Sequence, residues 1–217
     1  MAEFLGTFAF VLISSGVVLA DIFYGEIGRL GIGLSIGFSY GALVFITAHL
    51  SGGYLNPAIT LSLWLAQKLP GLRSCVFILL QIFASFLAAI VLFYIFGQNS
   101  LQLSLGGPIL GVNVNAQIGV AVEAILTSIL IFAVFGTMID RGGPVSFGPL
   151  VLGFILTATT ILALPISGAA MNPARAIGPL VLSRNFESLV IWIVGPAAGS
   201  LFGLVYDLLF IKKFKKS

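Results

Sequence analysis

Residues 51–58 read Ser-Gly-Gly-Tyr-Leu-Asn-Pro-Ala, and residues 167–174 read Ser-Gly-Ala-Ala-Met-Asn-Pro-Ala, a constant offset of 116. Proline suits the first position of a helix, where its missing N–H costs nothing. Asparagine suits the N-cap, where its side-chain oxygen accepts from first-turn N–H groups. Each stretch therefore predicts a loop running into a short helix, over about 56–67 and about 172–183. Long apolar runs flank both. Six of them, about 4–23, 32–50, 75–97, 117–138, 148–165 and 188–210, reach the roughly 20 residues that cross a bilayer. The short stretches are too short to cross.

Composition points to the same solvent. The 217 residues are 59% apolar and 8% charged, with a mean hydropathy of +1.17. A soluble domain carries about 25% charged residues. So little charge cannot cover a water-exposed surface, which excludes a soluble enzyme, a nucleic-acid binder and a disordered chain. The single His and single Cys leave no soft-metal site and no internal disulfide, and no cofactor is expected. The chain reads as an all-α, multi-pass integral membrane protein.

A second match strengthens the repeat. Glu3 and Thr7 in the first span correspond to Glu123 and Thr127 in the fourth, at an offset of 120. The first repeat covers about 1–97 and the second about 117–211, joined by a linker over about 98–116, all within one transmembrane domain over 1–217. The linker carries no charge and is expected to lie on the protein. Each half holds three spans, an odd number, so the second half enters the membrane from the opposite face. Such an inverted repeat places its site at the midplane. Lys68, Arg73, Arg141, Lys212, Lys213, Lys215 and Lys216 fall on the side that holds both termini, against Arg29 and Arg184 on the other. The positive-inside rule makes that side cytoplasmic, in a plasma or inner membrane.

Irregular backbone survives at membrane depth only where protein buries it or water bathes it. The loops at 49–55 and 165–171 are expected to dip in and meet. Asn56 and Asn172 then cap two half-helices, with their amide NH₂ groups free as donors. Ala58 and Ala174 keep the junction small. Arg175 follows the second motif, with no carboxylate near it by sequence. A charge at the bilayer centre costs about 2.5–3.5 kcal/mol on insertion scales, so Arg175 must face water or a partner. His49 precedes the first dip, where packing or a backbone bond competes with a role in an inner vestibule. Gly33, Gly37 and Gly41, and likewise Gly195, Gly199 and Gly203, form small-residue seams for close helix packing.

Two Asn-Pro-Ala motifs, the second followed by Arg, inside six spans with paired Glu and Thr, resemble the aquaporin (major intrinsic protein) family over nearly the whole chain. The resemblance implies six helices plus two re-entrant half-helices, a homotetramer in membrane lipid, and one pore per subunit. The pore would be lined by Asn56, Pro57, Ala58, Asn172, Pro173 and Ala174. It implies that Glu3 and Glu123 accept hydrogen bonds from the dipping loops. It also implies a selectivity filter at Ile36, Thr160, Ala169 and Arg175. Strict water channels of the family carry Phe and His at the first two positions. Ile36 and Thr160 predict a wider opening that admits glycerol, urea, ammonia or hydrogen peroxide besides water. Glycerol facilitators carry Asp after the motif Arg and a basic residue four further on, whereas this chain has Ala176 and Leu180. Ile193, where water channels tend to have Trp, leans the other way. The expected function is passive passage of water and small neutral solutes, with ions and protons excluded. The alternative is an ion-coupled secondary transporter, which also uses inverted repeats and broken helices but needs carboxylates that change partners.

Overall fold

The helices stop and start where local chemistry dictates. A computed structural model describes residues 1–140, 142–143, 147–186 and 188–212. Arg141, Lys213, Lys215 and Lys216 of the expected inward-facing set lie outside the described residues. In chain order the helices are α1 (Ala2–Tyr24), α2 (Gly28–Ser51), α3 (Pro57–Leu65), α4 (Gly71–Phe96), α5 (Ala116–Val134), α6 (Gly148–Ser167), α7 (Pro173–Leu182), α8 (Ile191–Ser200) and α9 (Phe202–Tyr206). α5 continues through a π-helical turn to Ile139, and α9 through another to Ile211. Six apolar spans result, with α8, α9 and the following turn forming the last. α3 and α7 are the two short helices.

Two spans begin earlier than their apolar runs predict. α2 starts at Gly28 because the Asp21 carboxylate, at the end of α1, accepts from the N–H groups of Ile27 (3.1 Å) and Gly28 (2.8 Å). α4 starts at Gly71, which takes Arg73 into its first turn. The Arg73 guanidinium donates to the Ser51 carbonyl (3.2 Å) and lies over the Phe77 ring, so its charge stays at the membrane rim.

Small residues hold the spans together. α2 lies against α6 through Gly37, Gly41 and Gly153, whose surfaces meet backbone directly. α8 meets α5 in the same way, at Gly195 against Val120 and Gly199 against Ala124. On α4, Ser85 receives the Gly178 N–H of α7 (2.9 Å) and donates to the Ala174 carbonyl. Inside a bilayer such close contacts replace the hydrophobic drive that folds soluble bundles. The outward faces remain apolar, with Phe38, Phe45, Phe83, Phe132 and Phe154 exposed.

The uncharged linker is laid on the bundle. Ser104, Leu105 and Gly106 are buried, the Gly111 N–H donates to the Ile166 carbonyl (2.9 Å), and the Asn185 amide reaches the Ser104 hydroxyl (2.9 Å). At the opposite end, the buried Asp207 carboxylate pairs with Lys68 (2.5 Å) and Lys212 (2.9 Å). That contact ties the loop after α3 to the end of the last span.

The α2–α6 seam supplies a first test. A methyl group on Gly37 would overlap Thr157 and the Gly153 carbonyl, whereas one on Gly16 would meet only a Leu92 methyl at 3.4 Å. Gly37→Ala is expected to cost about 1–3 kcal/mol, as overpacking does. Gly16→Ala should be neutral or better. Thermal denaturation of both variants in detergent checks the contrast.

Candidate functional site at the meeting of the two dips

α2 and α6 end alike. Gly52 and Gly168 terminate them in left-handed conformation, donating back to Ala48 and Leu164. Further left-handed residues follow at matching positions: Gly53 and Ala169, then Leu55 and Met171. Non-glycine residues in this region are strained by roughly 1–3 kcal/mol each. The conformation persists because a buried carboxylate gathers the N–H groups on the side of the loop away from the junction. Glu3 of α1 accepts from the Ser51 hydroxyl (2.7 Å), the Tyr54 N–H (3.0 Å), the Leu55 N–H (2.7 Å) and the Gln81 amide (2.8 Å). Glu123 of α5 accepts from the Ser167 hydroxyl (2.7 Å), the Ala170 N–H (2.9 Å) and the Met171 N–H (2.7 Å).

Each dip then enters a half-helix. Asn56 accepts from the Ala58 N–H (2.8 Å), and Asn172 from the Ala174 N–H (3.0 Å). Their amides cross over. The Asn56 amide donates to the Met171 carbonyl and the Asn172 amide to the Leu55 carbonyl, both at 2.9 Å. This corrects the expectation that both donors of each NH₂ stay free. One is spent joining the two dips, because the buried backbone carbonyls turned inward need partners. Both asparagines are buried, and Pro57, Pro173, Ala58 and Ala174 are buried with them.

Arg175 lies in the first turn of α7 and is 1% exposed. One guanidinium nitrogen donates to the Gly168 carbonyl (2.7 Å) and the Ala169 carbonyl (3.3 Å), while Nε has no protein partner. The expectation that no carboxylate lies near Arg175 is corrected here. Glu123 grips the N–H side of the loop whose carbonyl side Arg175 grips, a proximity that 52 residues of sequence separation concealed. Ile36 on α2 and Thr160 on α6 are buried, and the Thr160 hydroxyl has no protein partner. Ile36 shares one buried cluster with Ala169, Phe10, Tyr40, Leu130 and Leu156. His49 is exposed and lines a cleft of about 500 Å³ with Tyr54, Met138 and Ile139, so neither packing nor a backbone bond holds it among the described contacts.

Four supporting side chains escaped the sequence reading. Gln81 joins Glu3 to Thr60, Trp192 donates to the Ser167 carbonyl (2.8 Å), Ser85 binds α7, and the Tyr40 hydroxyl donates to the Tyr54 carbonyl (2.8 Å). Gln81 had a signal, since a polar residue in the middle of an apolar span needs a partner. Among the described residues, no three His, Cys, Asp or Glu side chains gather into a metal site.

Replacing Glu123 or Glu3 by Gln turns one acceptor oxygen into a donor that faces N–H groups. Each substitution is expected to cost about 1–3 kcal/mol, the penalty of a buried unsatisfied group. Thermal denaturation in detergent, scored against the unmodified protein, checks it.

The chain is similar to known proteins along its length. The family model described as "Major intrinsic protein" matches residues 1–206. Aquaporin TIP4-4 of Zea mays is 36% identical over 97% of this chain and 86% of its own length. The lens fiber major intrinsic protein of Gallus gallus is 36% identical over 96% of this chain and 79% of its own. The X-ray structure of the aquaglyceroporin from Plasmodium falciparum superposes with a TM-score of 0.87 at 22% identity, covering 100% of this chain and 97% of that one, which shows a shared fold. The chain therefore belongs to the major intrinsic protein family, the aquaporin-type passive membrane channels.

Proposed function

We propose that this channel conducts water and small neutral solutes, namely glycerol, urea, ammonia or hydrogen peroxide, and excludes ions and protons. The observation that carries the reading is the crossed pair of amides, Asn56 to Met171 and Asn172 to Leu55, at the meeting of two half-helix N-termini. Both helix dipoles point their positive ends at this junction. A cation arriving there meets repulsion as it loses its water shell. The second N–H of each amide remains as a donor, so a passing water turns its oxygen toward the asparagines. Its protons then point along the lumen in opposite directions, which breaks a proton wire.

On this reading Ile36, Thr160, Ala169 and Arg175 form the outer constriction. The Arg175 Nε and the Thr160 hydroxyl have no protein partner and serve a solute. Ile and Thr leave more width than an aromatic ring and an imidazole would. Glu3 and Glu123 hold seven hydrogen bonds between them, which argues against the exchange of partners that ion-coupled transport requires. Lys68 and Lys212 meet at Asp207, and a cytoplasmic setting for that end follows from the positive-inside rule. We read the chain as one channel domain in the cell membrane, with both termini cytoplasmic. We also read it as a homotetramer whose exposed phenylalanines meet lipid or a neighbouring subunit.

Stopped-flow measurements on proteoliposomes test the reading. Water flux above protein-free vesicles, unchanged by ion gradients and without proton leak, is expected. Flux that needs an ion gradient would overturn it. A thiol placed by Ala169→Cys should make the channel sensitive to mercurials, whereas Cys75, exposed in the first turns of α4, should not. Ile36→Phe combined with Thr160→His should keep most water flux and lower any glycerol or urea flux at least about tenfold, a barrier rise of about 1.4 kcal/mol.

A further inference from the structure

α2 turns two faces inward. Gly33, Gly37 and Gly41 meet α6, while Ile36, Tyr40 and Val44, spaced four apart, form a second buried stripe. Tyr40 lies one turn inward from Ile36. Its ring is 1% exposed and stands edge-on to the Phe10 ring of α1, with centroids 4.9 Å apart. Its hydroxyl is anchored on the Tyr54 carbonyl, two residues before the Asn56 cap. The repeat exposes how unusual this is. At the 116-residue offset that pairs Gly37 with Gly153, the partner of Tyr40 is Leu156. The partner of the Tyr54 carbonyl is that of Ala170, which receives no side-chain hydrogen bond among the described contacts. In the second half the aromatic contact with the dip falls elsewhere, where Trp192 of the last span donates to the Ser167 carbonyl (2.8 Å).

We propose that Tyr40, backed by Phe10, is a second size-selective constriction on the inner side of the Asn-Pro-Ala junction, and that it limits passage of polyol-sized solutes more than passage of water. The inference rests on the reading that the lumen runs past Ile36. Burial and the edge-on contact with Phe10 hold the ring in place, and the hydroxyl bond serves the Tyr54 carbonyl. Two constrictions in series add their resistances, so a wide outer filter does not by itself make a fast glycerol channel. Aromatic bulk does the narrowing, because the phenol proton is already committed to the Tyr54 carbonyl.

The test compares glycerol and water fluxes in proteoliposomes for the unmodified channel, Tyr40→Leu and Tyr40→Phe. Tyr40→Leu installs the residue found at the repeat-related position and should raise the glycerol-to-water flux ratio about tenfold. Tyr40→Phe keeps the ring and should leave the ratio within about twofold. Adding Ile36→Phe and Thr160→His to Tyr40→Leu should remove the gain. An unchanged ratio in a folded, water-conducting Tyr40→Leu channel overturns the inference and leaves the channel reading intact. A Tyr40→Phe ratio as high as that of Tyr40→Leu also overturns it, since bulk would then not be the cause. Absence of water flux in the unmodified protein would overturn the channel reading itself. If Tyr40→Leu does not fold, Phe10→Leu removes the other ring, and an unchanged ratio there counts equally against the inference.

Discussion

Everything near the midplane depends on two buried carboxylates that satisfy backbone N–H groups of the dipping loops. A loop inside a bilayer exposes donors and acceptors that helices and closed barrels hide. Glu3 and Glu123 each collect two such N–H groups and a serine hydroxyl from the loop they face. A carboxylate suits the task because it is acceptor-only and can serve several donors at once. The left-handed residues Leu55, Ala169 and Met171 persist because these bonds outweigh their local strain.

With the N–H side of each loop gathered outward, the carbonyl side turns toward the junction. There the bonds run between halves. Asn56 reaches the second dip and Asn172 the first, so each cap also clamps the opposite loop. The remaining carbonyls divide unequally. In the second dip Arg175 takes two and Trp192 one, and in the first Tyr40 and Arg73 take one each. The inverted repeat thus builds a symmetric frame, and a few side chains make its two ends different. The guanidinium buried beside the second dip is Arg175, whereas beside the first dip the buried pair is Tyr40 and Phe10.

The helices can hold this frame because they approach each other closely. Glycine contacts along α2–α6 and α5–α8 set backbone against backbone, and the Ser85 bonds fasten α7 to α4. In lipid, packing and buried hydrogen bonds must supply the cohesion that water supplies to soluble cores. The short helices are therefore gripped at their starts by the asparagine caps and carboxylate-held loops, and along their sides by long spans.

Much of the fold is legible in the sequence for local reasons. Apolar runs mark the spans because the bilayer core rejects charge. Asn-Pro marks a helix start because of what each residue does to one backbone N–H. The repeat of Ser51–Ala58 at Ser167–Ala174, with three spans in each half, dictates an inversion by parity alone. What tertiary structure alone decided is where polar groups find partners across the chain. The sequence reading left the asparagine amides free, set Arg175 apart from any carboxylate, and gave no role to Tyr40 or Gln81. These outcomes rest on contacts such as Asn56 with Met171, 115 residues apart. A hydrogen bond depends on ångström-scale placement, which periodicity and spacing do not encode, and only the packed bundle brings such distant groups into reach.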